Sequence, residues 1–434
     1  MPFNTVRIIL NSRLLWRLAS AAALAASLAC PQPLGGETLP LTQAIQAAKD
    51  RSPDIANLMH QMLAARAQAR QALSLADPSV SVAVNDMNGD FNQADAGSTS
   101  FGIDQPFTFP GKALLNWAQG KDQAEALEHQ LRNTEIQLVI NVKTAYYQLA
   151  LARKNLDLNT EQEKILEQIV SVVKRRYEAA GVTEVDVANA QLAQYANQTS
   201  RADLVLAEKT ALSQLNVMLG REAEADVEVE ALPDPDGVPK VDKVEALTKM
   251  KAHNPQILSA ASTASAASKG LTLAWMGLLP DFQVGVSDNQ YHLASPNYAS
   301  SPLIETHSFN VQANVPLWAL FNESQSILAA GHSNDAARAG LKSQAEQSEQ
   351  ALFAAVETLD DNAAKLALYK DHILPLSEMC MKLALINYGT GKIGFQDLAG
   401  AAAGLWSTRS TYYTLLAGDV TAYAQYGQLV GEEL

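Results

Sequence analysis

Residues 104–115 read DQPFTFPGKALL: an extended aromatic segment, a Pro-Gly break, and a lysine that opens something helical. The Gly111-Lys112 pair invites a phosphate-binding reading, which needs a glycine five residues before the pair and a Ser or Thr after it. Those places hold Pro106 and Ala113. The stretch therefore reads as a corner where a strand becomes a helix.

Upstream of the corner, Val80, Val82 and Val84 alternate with Ser81, Ala83 and Asn85, and Phe101 and Ile103 alternate with Gly102 and Asp104. A period of two marks strands with one apolar face. Downstream, no proline occurs from Lys112 to about Glu178. As one helix this run is roughly 100 Å long at 1.5 Å per residue, a rod that no ordinary globular domain of this size contains. Leu138, Val142, Ala145, Leu149, Ala152 and Leu156 step by four and three, a heptad seam for antiparallel coiled-coil packing.

The plan is written twice. Pro53 and Pro255 are 202 residues apart, as are Pro78 and Pro280; further on, Tyr177 and Tyr388, and Asp186 and Asp397, are 211 apart. The second half repeats the alternation with Phe282, Val284 and Val286, then Phe309, Val311, Ala313 and Val315, each strand pair being joined by a long polar segment, roughly 87–97 and 289–306. It repeats the seam with Leu366, Tyr369, Ile373, Leu376, Cys380 and Leu383. Residues 41–76 and 244–279 are alanine-rich and helical in pattern, each with an early proline that bends or restarts the helix. The organisation expected is a first repeat over 30–231, a Pro-Asp-Gly-rich linker over 232–243, and a second repeat over 244–434. Each repeat runs helix, strand, strand, long helix, glycine-containing tip, returning helix.

Arg7, Arg13 and Arg17 precede the apolar run 18–29, the pattern of a secretory signal over 1–29. Spanning a bilayer takes roughly 20 apolar residues, so that run is a leader rather than an anchor. Ser27-Leu28-Ala29-Cys30 fits a peptidase site and also a loose lipobox with Cys30 as the acylated terminus, and both readings stand. The formal charge of −14 argues against nucleic acid.

Four amphipathic strands in an exported chain have two readings. They form a small sheet packed on a helix, or they present the apolar face to lipid and the polar face to a water-filled lumen. Open sheet edges do not survive in hydrocarbon, so the second reading requires several chains to close one barrel.

Several features together resemble the TolC-type outer-membrane efflux channel family over essentially all of the mature sequence. They are the doubled half, strands ending in Gln105-Pro106-Phe107 and Val315-Pro316-Leu317, the tips Tyr177-Glu178-Ala179-Ala180-Gly181 and Tyr388-Gly389-Thr390-Gly391, and Asp186-Val187-Ala188-Asn189-Ala190-Gln191. The resemblance implies an α+β membrane protein of the bacterial outer membrane. Long antiparallel coiled-coil helices would form a periplasmic tunnel, and four strands per chain would contribute to a trimeric twelve-stranded barrel. It implies a homotrimer in outer-membrane lipid that works as a passive export duct of a tripartite efflux pump, with a periplasmic adaptor and an inner-membrane transporter as partners. Heavy-metal cations or drugs are the cargo considered. The alternatives are a secreted or periplasmic coiled-coil scaffold and a channel for type I polypeptide secretion.

Under that resemblance Asp186 and Asp397 line a constriction near the tips, and the plainer reading is that each is an acid favoured at a helix N-terminus. Asn189 and Gly400 stand where some members carry a second acid. Gly181, Val182, Thr183, Gly391 and Lys392 are the expected adaptor contacts. The polar strand residues Ser81, Asn85, Asp104, Gln283, Ser308, Asn310, Gln312 and Asn314 would line the lumen. Met59-His60-Gln61-Met62 and Met379-Cys380-Met381 look like soft-metal sites, but adjacent helical residues point about 100° apart, so core packing is preferred and no metal is expected. No hydrolase or zinc-protease motif occurs, and neither catalysis nor a cofactor is expected.

Overall fold

The computed structural model describes residues 38–85, 98–233, 239–292, 302–317 and 322–433. The leader, Cys30, the middle of the linker, most of the two strand-joining segments and the second corner at 318–321 lie outside them.

Each half begins with a proline-restarted helix pair. In the first, α1 (Leu41–Arg51) gives way to α2 (Pro53–Gln71); in the second, α5 (Lys243–His253) gives way to α6 (Pro255–Met276). Ser52 and Asn254 are the equivalent N-caps, their side chains accepting from the Ile55 amide and from the Gln256 and Ile257 amides. Proline at the first helical position loses no hydrogen bond, so both restarts are mild.

The strands β2 (Ser79–Asn85), β3 (Ser98–Phe107), β5 (Asp281–His292) and β6 (Leu303–Asn314) form one antiparallel sheet in the order β2-β3-β5-β6. The β3–β5 pairing joins the halves. The second strand pair reaches further than its alternation suggested, since β5 and β6 stay paired up to His292 and Leu303. Sequence reading also missed β1 (Thr38–Leu39) and β4 (Glu228–Val229), a short parallel pair. Two-residue strands carry no periodicity. They are held by the Tyr146 hydroxyl, which donates to the Leu39 carbonyl at 2.8 Å and accepts from the Glu230 amide at 2.7 Å.

From the corner, α3 (Lys112–Glu178) runs unbroken for 67 residues, and α4 (Glu184–Met218) returns beside it. The first seam is as read: Val142, Ala145, Leu149 and Ala152 are buried, and Leu138 packs against the same cluster. Further down, Asn159 donates to Asn197 of α4 at 2.9 Å, and Asn197 donates to Glu163 at 2.7 Å. A buried amide pair of this kind pins the register of a coiled coil. Burial alone would raise the Glu163 pKa, but donors from Asn197, Gln194 and Gln198 outweigh it and hold the carboxyl below its usual range.

The second seam is corrected. Helix α7 (Glu323–Leu368) ends in a π turn over Tyr369–Ile373, and α8 (Leu374–Gly389) follows, before α9 (Phe395–Val430) returns. Pro375 lacks an N–H and crowds the carbonyl four residues back; the wider turn relieves both. The turn adds one residue, so the inward row runs from buried Leu366 past half-buried Leu374 to buried Met381, Ala384 and Tyr388. Leu376, Cys380 and Leu383, one position earlier, are exposed.

Both returning helices end alike. Gly220 and Gly431 adopt positive φ (64° and 79°), and the amides after them reach back to Asn216 and Gly427. These closures dock on the ends of α1 and α5: Gly220 abuts Arg51, and a Cβ at Gly431 would collide with the His253 carbonyl. No helix among the described residues is long and apolar enough to cross a membrane.

Candidate functional site

The strand register sorts side chains onto two faces. On one, Val80, Ile103, Val286 and Phe309 form a row, with Val82 and Phe101 above and Val284 and Val311 below. All but the half-buried Val284 stand open, Val82 at 65% and Phe309 at 71% exposure. On the other face lie Ser81, Asn85, Asp104, Gln283, Ser308, Asn310, Gln312 and Asn314, all eight of the expected polar set. Apart from Phe282, which stacks on Phe109 at the corner, most of this apolar face is left open among the described residues, an unusually large exposed apolar patch.

The apolar face changes character toward the far end of β5 and β6. Asp288 lies beside Phe101 on that face with His307 3.2 Å away, and Gln290 then donates to Glu305 at 3.0 Å.

At the near end, the corner is a lock. Gly111 caps α3 at φ 95°, a conformation glycine adopts without strain. Lys112 Nζ donates to Asp281 at 2.9 Å and to the Leu279 carbonyl at 3.0 Å, while the Phe109 amide donates to the same Asp281 oxygen at 2.7 Å. The first corner is thus tied to the start of β5 in the second half, a contact that the local reading of Lys112 did not contain.

The tips lie at the other end of α3. Asp186 accepts from the Thr183 amide and hydroxyl, both at 3.2 Å, and Asp397 accepts from the Gly394 amide at 3.2 Å. Both acids therefore cap their helices, as the plainer reading held. Gly181 closes the first tip by donating to the Arg176 carbonyl at 2.7 Å, and Lys392 closes the second by donating to the Asn387 carbonyl at 2.9 Å. The left-handed residue is Gly391 (φ 79°) in the second tip but Ala180 (φ 53°) in the first. In the first tip the glycine, Gly181, sits one place after the left-handed residue.

Sequence reading missed Arg176. Its guanidinium donates to the Tyr388 carbonyl at 2.8 Å and to the Gly181 carbonyl at 3.1 Å, and it lies 4.7 Å above the Tyr388 ring. Tyr388 is fully buried, and its hydroxyl has no partner among the described residues. Burial first, and then the charge of Asp186, push its phenol pKa up, with Arg176 opposing. Above the tip, Arg409 of α9 bridges Glu161 of α3 and Glu378 of α8, both at 2.7 Å. Met379 and Cys380 are exposed while Met381 is buried, so the three do not converge. Among the described residues no group of three or more His, Cys, Asp or Glu is placed to hold a metal.

The sequence model of the family described as outer membrane efflux protein matches residues 44–221. No curated protein matches the sequence. Among solved structures, that of CusC, described in terms of folding and transmembrane channel formation, superposes with a TM-score of 0.75 at 17% identity, covering 90% of this chain and 92% of that one. The outer-membrane channel OprN gives 0.75 at 18% identity, covering 90% and 89%. The outer membrane protein VceC from Vibrio cholerae gives 0.74 at 16% identity, covering 90% and 96%. At these identities the structures establish a shared fold.

Proposed function

We infer, from the match of residues 44–221 to the outer membrane efflux protein family and from the fold shared with solved channels over 90% of the chain, that this chain is a member of that family and the outer-membrane duct of a tripartite efflux pump. The carrying observation is the four-stranded sheet: one open apolar face, one polar face, and edge strands β2 and β6 each paired on one side only among the described residues. Unpaired edges cannot lie in hydrocarbon, so copies of the chain pair β6 of one with β2 of the next. Three copies give twelve strands. Lipid then meets Val82 and Phe309, and water meets the polar face.

The helices continue this barrel into the periplasm as a tunnel, and its wall conducts cargo passively, without catalysis. The repeats divide as 30–231 and 244–434 about the linker 232–243. Asp186 and Asp397 ring the constriction in addition to capping their helices. Gly181, Val182, Thr183, Gly391 and Lys392 meet a periplasmic adaptor that links the duct to an inner-membrane transporter. Cys30, if retained as the first residue, anchors the chain through lipid. Metal cations and drugs are the cargo classes; an exported scaffold does not account for the open apolar sheet.

The test is fractionation and reconstitution. The chain should extract with outer membrane in detergent, migrate as a trimer and conduct in planar bilayers. Recovery as a soluble monomer without conductance sinks the proposal. A deletion strain that loses tolerance to copper, silver, zinc and cobalt assigns metal cargo, and one that loses tolerance only to dyes and antibiotics assigns drugs.

A further inference from the structure

We propose that Asp104 sets the charge selectivity of the barrel lumen, an inference that rests on the channel reading above. In its own row of the polar face the neighbours are Ser79, Gly285 and Asn310. The rows on either side carry only hydroxyl, amide, glycine and proline positions. Among the described strand residues this face holds no lysine, arginine or histidine. Its one other carboxylate, Asp281, is ion-paired to Lys112 at the corner. Among the described strand residues, Asp104 is therefore the single uncompensated charge on the polar face.

Two glycines shape its surroundings. A Cβ at Gly285 would collide with both Asp104 Oδ1 and Asn310 Oδ1, and a Cβ at Gly102 would stand 2.7 Å from Ser81 Oγ. The oxygens thus lean over bare backbone, into space that any other residue would fill. Among the described residues no hydrogen bond or ion pair reaches the Asp104 carboxylate, so its field is not offset by a fixed donor. Three copies place three such carboxylates at one level of the barrel. A ring of one sign in an otherwise uncharged wall concentrates counter-ions and rejects co-ions. The flanking donors are all oxygen, a set that suits hydrated alkali and alkaline-earth cations rather than soft metals. Asp104 accordingly favours hard cations over anions, at a level separate from the tip acids.

The experiment uses the full chain in planar bilayers under a potassium chloride gradient, with the reversal potential reporting the cation-to-anion permeability ratio. Asp104→Asn, nearly isosteric, should lower the ratio by at least about twofold near 10 mM salt, where the screening length is ~30 Å, and change it little near 1 M, where it is ~3 Å. Asp104→Lys should invert the preference, and Asn310→Asp should raise the ratio. Conducting Asp104→Asn channels with an unchanged ratio at low salt overturn the inference, as does a ratio that moves only with Asp186 and Asp397. A wild-type chain that never conducts overturns the channel reading together with this inference.

Discussion

Arg176 Nη1 donates to the carbonyl of Tyr388 across the two tips at 2.8 Å, and the same side chain donates to Gly181 within its own tip at 3.1 Å. It thereby ties the C-terminal ends of α3 and α8, where helix dipoles favour a cation. A hydrogen bond to a charged group contributes about 1.5–3 kcal/mol. If the tips separate when the duct opens, Arg176→Ala should raise open probability by roughly tenfold or more, since ~1.4 kcal/mol is a factor of ten. Arg176→Lys should fall between, because a lysine keeps the charge but not the planar fork. Single-channel traces of the alanine variant that match wild type would remove Arg176 from the opening step.

Ala180 carries the positive φ of 53° that Gly391 carries as 79° in the second tip. A left-handed conformation costs a residue with a Cβ about 1–2 kcal/mol. Ala180→Gly should therefore stabilise the first tip by about 1 kcal/mol, and Gly391→Ala should destabilise the second by at least as much. The second change also brings a Cβ to 3.3 Å from Arg176 Nη2. Apparent melting temperatures in detergent decide; a lower value for Ala180→Gly contradicts the strain argument.

The strands and rods were legible because their signals are periodic: Val80 to Val84 alternate, and Val142 to Ala152 step by heptad. The doubled architecture was legible because the repeat matches itself at an offset that drifts only from 202 to 211 residues. The second seam was misread because the π turn at Tyr369–Ile373 adds a residue with no periodic mark, and everything from Leu376 to Leu383 rotates by one position. Pro375 was the available clue. Contacts between halves were invisible for a different reason. The bond from Lys112 to Asp281 spans 169 residues, and the cross-tip bond from Arg176 spans 212. Neither member of such a pair is unusual in its own neighbourhood.

Asp186 and Asp397 cap their helices, and one measurement tests the constriction role proposed for them. As caps, each satisfies an amide at its helix start, and replacing a capping residue costs about 1 kcal/mol. In the proposed constriction they would attract cations and resist crowding of like charge. Asp186→Ala with Asp397→Ala should raise conductance or weaken divalent block as well as lower the melting temperature. Asp186→Asn with Asp397→Asn removes the charge while keeping a side-chain oxygen as acceptor, and should keep most of the stability yet show the same change in currents. If currents in both double variants equal wild type, the acids only cap.

Asp419 of α9 is 2% exposed, and one of its oxygens has no partner among the described residues. Burial pushes its pKa up, and a hydrogen bond with Asn362 offsets only part of that. A raised carboxyl pKa means that the folded chain holds its proton more tightly than the unfolded one, whose value is about 3.9. Below that value both states are protonated and the group has no effect. As pH rises from there through the folded pKa, the unfolded state releases its proton first, so stability falls across that window and then levels off. Asp419→Asn abolishes this titration. The melting temperature of the variant should gain on wild type as pH rises from about 4 toward neutrality. Thermal melts of the detergent-solubilised protein across that range supply the check. A difference between the two proteins that stays constant with pH would mean that Asp419 ionises as readily in the folded helix pair as in water.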